Sequence, residues 1–105
     1  MSVSTHVLDS VAGRPAAGIA VRLYADQELI AEGVTDRDGR CRLTEDATAL
    51  GTHRLVFDTG MWFAEQGRDA FYPEVVLTFS VAEPADHHHV PLLLAPFAYS
   101  TYRGS

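Results

Sequence analysis

Apolar and polar residues alternate with a period of two through much of this chain. At residues 3–8, Val3, Thr5 and Val7 fall on one side and Ser4, His6 and Leu8 on the other. That is the signature of a strand with one buried face. The same alternation predicts strands at 19–25, 29–35, 40–43, 53–59, 73–81, 88–95 and 98–103. The clearest is 73–81, where Val75, Leu77, Phe79 and Val81 oppose Glu74, Val76, Thr78 and Ser80. In 53–59, Leu55 and Phe57 are expected to face inward. Gly13-Arg14-Pro15, Asp36-Arg37-Asp38-Gly39 and Glu83-Pro84-Ala85-Asp86 punctuate the strands. In the second of these, aspartate caps locally and glycine takes the positive φ, which delivers Arg40 to the start of a strand. Between 60 and 68, Met61-Trp62-Phe63-Ala64-Glu65-Gln66 is the one segment that reads as helical. At about two turns it depends on packing. About eight short strands separated by turns predict an all-β fold, a two-sheet β-sandwich with one short helix.

The strand at 88–95 departs from simple alternation. His89, Pro91 and Leu93 share one face and Val90, Leu92 and Leu94 the other, so both are largely apolar. His88 goes with the second, core-facing set. With no helix free to cover the outer face, another subunit is the expected cover. His6 shares the outer face of its strand with Leu8, which places His6 and His89 on outward, subunit-covered faces.

Composition narrows the class. The 105 residues predict one domain spanning 1–105, and 47% hydrophobic content suffices for a core. The net charge of −6 argues against nucleic acid or an anionic membrane as partner, but not against an anionic small molecule in a local Arg/His pocket. One cysteine, Cys41, allows no internal disulfide and no cysteine-based metal site. No apolar run reaches the ~20 residues of a membrane helix. The N-terminus lacks a secretory pattern and the final Arg-Gly-Ser is not a peroxisomal address, so a cytoplasmic location is expected.

Chemistry-bearing residues cluster late in the chain. The sequence stops on Tyr102-Arg103-Gly104-Ser105, an aromatic, a guanidinium and a hydroxyl, and such an end is expected to be docked and used. Paired with an arginine, His6 and His89 have the groups to activate a water and steady an oxyanion. On spacing alone each is equally an edge-strand histidine. His87 and His89 share a face, and His6 would make a three-histidine zinc site. No carboxylate or cysteine stands at ligand spacing to support it, and no metal is expected. Arg40 reads on spacing as a solvated turn arginine, and Arg37, Arg42 and His53 as solvent-facing. Ser105 lacks the Gly-x-Ser-x-Gly elbow of an acyl nucleophile. Met61, Trp62, Phe63, Phe71 and Tyr72 read as core around the helix.

Several runs together carry a resemblance. Ser4-Thr5-His6-Val7-Leu8-Asp9, Gly13-Arg14-Pro15-Ala16 and Gly18-Ile19 open the chain. Thr35 through Asp38-Gly39-Arg40, Phe57-Asp58-Thr59 and Phe71-Tyr72-Pro73 follow. His89-Val90-Pro91-Leu92-Leu93-Leu94 and Tyr99-Ser100-Thr101-Tyr102-Arg103-Gly104-Ser105 close it. The chain resembles the transthyretin-like 5-hydroxyisourate hydrolases in register over essentially its whole length. The last four residues separate those enzymes from the hormone-carrying transthyretins.

The resemblance implies hydrolysis of 5-hydroxyisourate, the unstable product of urate oxidation, to 2-oxo-4-hydroxy-4-carboxy-5-ureidoimidazoline, without metal or organic cofactor. It implies a transthyretin-like sandwich assembled as a homotetramer, a dimer of dimers, with active sites at the dimer–dimer interface. By position the catalytic residues fall on His6, Arg40 and His89, and the substrate-binding end on Tyr102, Arg103, Gly104 and Ser105. The alternative is a transthyretin-type carrier that binds a small ligand in the same channel and has no need of that catalytic set. His88 stands where the family has Tyr, Trp62 where it often has Tyr, and Ala95 where it often has Ser.

Overall fold

The computed structural model of the protein describes residues 2–45 and 50–105. Among them are nine strands and one helix: β1 (Ser2–Asp9), β2 (Arg14–Pro15), β3 (Ala20–Ala25), β4 (Glu28–Val34), β5 (Arg40–Thr44), β6 (Gly51–Phe57), α1 (Thr59–Ala64), β7 (Val75–Val81), β8 (His87–Ala95) and β9 (Ala98–Thr101). One sheet runs β2-β1-β8-β9, with β5 also paired to β1, and the other runs β4-β3-β6-β7. The all-β sandwich with one short helix is therefore the observed architecture.

The period-two pattern decides which residues fill the space between the sheets. Val3 and Val7 from β1 are fully buried, as are Val21 and Leu23 from β3, Leu55 and Phe57 from β6, Val75 from β7 and Leu92 from β8. Each such side chain contributes roughly 1.5–3 kcal/mol by leaving water. Phe63 from α1 closes one part of this cluster. The helix is too short to hold itself, and it is tied down by side chains. Trp62 Nε1 donates to the Ala17 carbonyl at 2.7 Å, and Arg22 pairs with Asp58 at 3.3 Å just before the helix.

A buried ion pair anchors the segment after the helix to the first strand. Arg68 Nη1 donates to Asp9 Oδ2 at 2.7 Å, with the Asp9 side chain only 4% exposed. The amides of Val11 and Ala12 donate to Asp9 Oδ1. Burial pushes the Asp9 carboxyl up, but the Arg68 hydrogen bond, the amides and the Arg68 charge together outweigh it and leave it below the usual carboxylate range.

The structure corrects four expectations. Arg14 and Pro15 break β1 but also form a two-residue strand that folds back on Leu8 and Asp9. Thr59 begins the helix instead of ending a strand. His53 is not solvent-facing: it is 1% exposed, its ring centroid lies 5.8 Å from that of Phe79, and Phe79 in turn faces His88 at 6.3 Å. On β6, His53 has the same parity as Leu55 and Phe57, which face inward. Of the aromatic and Met residues assigned to the helix core, Phe63 is buried and Trp62 packs against the core, whereas Met61 and Phe71 are about 70% exposed. Phe71 instead joins Tyr72 and Tyr99 in a ladder of edge contacts, with centroids 5.0 and 5.3 Å apart.

Candidate active site

The turn before β5 sets the position of Arg40. Asp36 Oδ1 accepts from the amides of Asp38 at 2.8 Å and Arg40 at 3.0 Å, and Gly39 closes the turn at φ 77°. The Arg40 amide bond leads, with the Asp38 amide and the charges of Arg40 and Arg37, in holding Asp36 ionised below its ordinary value against a smaller desolvation penalty. The Gly39 carbonyl then accepts from the Val7 amide at 2.7 Å, which pins the turn to β1. Antiparallel register sets Arg40 directly opposite His6. His6 Nε2 lies 2.8 Å from the Asp38 carbonyl oxygen. A carbonyl can only accept, so Nε2 carries a hydrogen and the neutral ring has its lone pair on Nδ1.

The other half of the site comes from the far end of the sequence. β8 runs parallel to β1, with Ser4 opposite His89 and His6 opposite Pro91. The chain then reverses through β9 and returns, and the Gly104 amide donates to the His89 carbonyl at 2.8 Å. This docks the end of the described chain. Gly104 fits because it has no side chain: a Cβ there would sit 2.5 Å from Cδ2 of His89 and 3.2 Å from Cγ of Pro91. On the opposite edge of the ring, His89 Nδ1 lies 2.8 Å from Ser4 Oγ. His87 stacks on His89 with centroids 6.1 Å apart and planes 14° from parallel. Its Nε2 is 3.1 Å from the same Ser4 hydroxyl, and its Nδ1 contacts the Ser2 hydroxyl.

These groups surround a cavity of about 390 Å³ lined by Ser4, Arg40, Arg42, His87, His89, Tyr102, Gly104 and Ser105. The structure thus brings Arg40, His89, Tyr102, Gly104 and Ser105 together, whereas His6 stands opposite Arg40 on β1 and is not among the residues that line this cavity. Arg103 is placed differently. It lines a second cavity, of about 330 Å³, with Leu77, Phe79 and His88 on the other side of the terminal segment, and its guanidinium is 3.9 Å from Asp86. His88 is 5% exposed, on the core side. Ser4, His87 and Arg42 are cavity residues that the sequence analysis did not single out as cavity residues. The period of two could have found them, because each lies two positions from a chosen residue on the same face.

Electrostatics favour a neutral His89. Partial burial, followed by the charges of Arg40, His87 and His6, lowers its proton affinity below that of ordinary histidine. A neutral imidazole and a guanidinium around one cavity are groups able to act as a base and an oxyanion partner. Among the described residues, no group of three or more His, Cys, Asp and Glu side chains is gathered closely enough to hold a metal ion. No helix among the described residues is long and apolar enough to cross a membrane.

Comparison with known proteins agrees with this geometry. The model of the HIUase/Transthyretin family matches residues 3–104. A 5-hydroxyisourate hydrolase of Pseudomonas aeruginosa is 44% identical, over 98% of this chain and 90% of its own length. The solved structure of the Klebsiella pneumoniae 5-hydroxyisourate hydrolase superposes with a TM-score of 0.93 at 38% identity, over the whole of both chains. Sea bream transthyretin in complex with thyroxine superposes at 0.86 and 33% identity, over 97% of this chain and 93% of that one.

Proposed function

We propose that the chain, which belongs to the HIUase/Transthyretin family, hydrolyses 5-hydroxyisourate to 2-oxo-4-hydroxy-4-carboxy-5-ureidoimidazoline, a step of urate degradation. The reading rests on one observation above others: Arg40, His89 and the terminal Gly104-Ser105 converge on a single cavity from three distant parts of the chain. Relatives at 40% identity and above over nearly the full length carry the same activity in their names.

The residue chemistry supports a direct attack by water. Neutral His89 takes a proton from water as its oxygen bonds to the ring carbonyl carbon. Arg40 binds the carbonyl oxygen and stabilises the negative charge that develops there. The carbon–nitrogen bond then breaks, and a histidine returns a proton to the departing ring nitrogen. His6, opposite Arg40, stands at the other side of this exchange. Tyr102, Gly104 and Ser105 shape the cavity wall, and Arg103 braces the terminal segment from behind. No metal or organic cofactor enters these steps.

The cavity is open on one side, and the face around it includes half-buried Leu8 and Leu93. We assign this face to a partner subunit, in a homotetramer that closes each site at the dimer–dimer interface. The activity test follows ultraviolet decay of 5-hydroxyisourate made in place from urate with urate oxidase. Decay faster than the spontaneous rate, insensitive to a chelator and absent in His89→Ala, is expected. Decay at the spontaneous rate from an assembled tetramer would reject the enzyme and leave a carrier-like role for the cavity.

A further inference from the structure

Ser4 has no role in the chemistry just described, yet its hydroxyl lies 2.8 Å from His89 Nδ1 and 3.1 Å from His87 Nε2. We propose that Ser4 is a positioning residue that keeps neutral His89 in the tautomer with hydrogen on Nδ1 and a lone pair on Nε2. The proposal deepens, and rests on, the hydrolase reading of this site.

A serine hydroxyl has one hydrogen to give. Placed between two imidazole nitrogens, it donates to one and accepts from the other. Two arrangements satisfy every contact. In the first, His89 Nδ1–H donates to Ser4, Ser4 donates to His87 Nε2, and His87 Nδ1–H donates to Ser2. In the second, all three donors are reversed and His89 carries its hydrogen on Nε2. The charge in the cavity chooses between them. Arg40 lines the same cavity as His89, close enough for its charge to act on the ring. A guanidinium there favours a lone pair on the open nitrogen and repels an N–H dipole. Among the described residues, the hydrogen bond of the His89 ring is made at Nδ1, to Ser4, which leaves the Nε2 lone pair to meet water.

The ring has little freedom to escape this choice. Ser4 holds the Nδ1 edge, Gly104 lies against Cδ2, and His87 covers one face. The proton count also closes. When Nε2 takes a proton from water, Nδ1 keeps its own, and the bond to Ser4 becomes charge-assisted and stronger. No proton has to leave through the chain of hydroxyls during attack.

The test uses the full protein with ¹⁵N-labelled histidine, and a His89→Gln sample to assign the resonance. Long-range ¹H–¹⁵N correlation distinguishes a protonated from an unprotonated ring nitrogen directly, without substrate. Wild type is expected to show His89 protonated at Nδ1 when neutral. Ser4→Ala is expected to shift the population toward Nε2–H and to lower kcat roughly ten- to a hundredfold, with KM within about threefold. Ser4→Thr, which keeps the hydroxyl, is expected to restore both. Nε2–H in wild type, or an unchanged tautomer in Ser4→Ala, overturns the proposal. Failure of the hydrolase reading is separate: wild type would then show the expected tautomer and no turnover.

Discussion

Gly104→Ala is the most direct test of the docked chain end. An ideal Cβ at this position lies 2.5 Å from His89 Cδ2, whereas ordinary contact begins at 3.4 Å. Relief therefore requires a relative movement of about 0.9 Å, the difference of those two distances. The imidazole cannot yield toward its other edge without compressing the 2.8 Å contact with Ser4. The alternative is that the terminal segment lifts, which breaks the 2.8 Å bond from the Gly104 amide to the His89 carbonyl and withdraws Ser105. Either movement displaces a group of the site by nearly 1 Å. Misplacement on that scale costs on the order of a hundredfold in rate, or about 2.7 kcal/mol of transition-state stabilisation. Global stability should change little, because one part-buried hydrogen bond near the end of the described chain contributes about 1 kcal/mol. The assay is kcat/KM for 5-hydroxyisourate by ultraviolet decay, beside a thermal melt of the same sample. A variant within about twofold of wild type would refute the claim that Gly104 is required by its approach to His89. A melt lowered by much more than ~5 °C would assign the loss to unfolding.

Four further outcomes follow from the structure. The acid limb of kcat/KM should lie below pH 6.5, because burial and then Arg40, His87 and His6 disfavour the His89 imidazolium; Arg40→Gln should move the limb of the residual activity upward, and a limb at or above 6.5 in wild type would contradict it. The same depressed affinity means the unfolded chain binds more protons below 6.5, so this contribution to stability is complete above pH 6.5 and falls as pH drops through the window below it, readable by urea titration at several pH values. Gly39→Ala should cost about 3 kcal/mol or more in urea denaturation, since φ is 77° and a Cβ would meet the Val7 carbonyl oxygen at 2.3 Å. Arg68→Met should cost about 3 kcal/mol at pH 7 by leaving the Asp9 carboxylate buried and unpaired; the gap from wild type should shrink as pH falls toward the ordinary carboxylate range, where the orphaned carboxyl takes a proton, and further below it, where wild type loses its depressed Asp9 contribution.

The fold was largely legible because its strands obey the period of two so plainly. The parity of Val3, Val7, Leu55, Phe57, Val75 and Leu92 was enough to name the buried face. Parity failed where an apolar or polar label outvoted it. His53 reads as solvent-facing by its polarity, although it has the parity of Leu55, and burial against Phe79 is what a histidine ring can support. Met61 reads as core because it is apolar, although a six-residue helix offers the core one narrow stripe, which Phe63 takes; Phe71 reads the same way but lies beyond the helix, where it packs edge-on against Tyr72.

The site was legible only in part, for a reason that lies in pairing rather than composition. His6, Arg40 and His89 could be chosen by resemblance, but nothing local says that Ser4 meets His89. That follows from the parallel pairing of β1 and β8, which links residues 85 positions apart. Its register carries the whole arrangement. A slip of β8 by one residue along β1 would turn His89 inward and bring His88 to the cavity. Core packing forbids the slip, because it would also turn Val90, Leu92 and Leu94 out of the sandwich. The geometry of the candidate site is thus held by residues that never touch the cavity, and the hydrophobic alternation that makes the fold readable is also what fixes Ser4, Arg40 and His89 on one face.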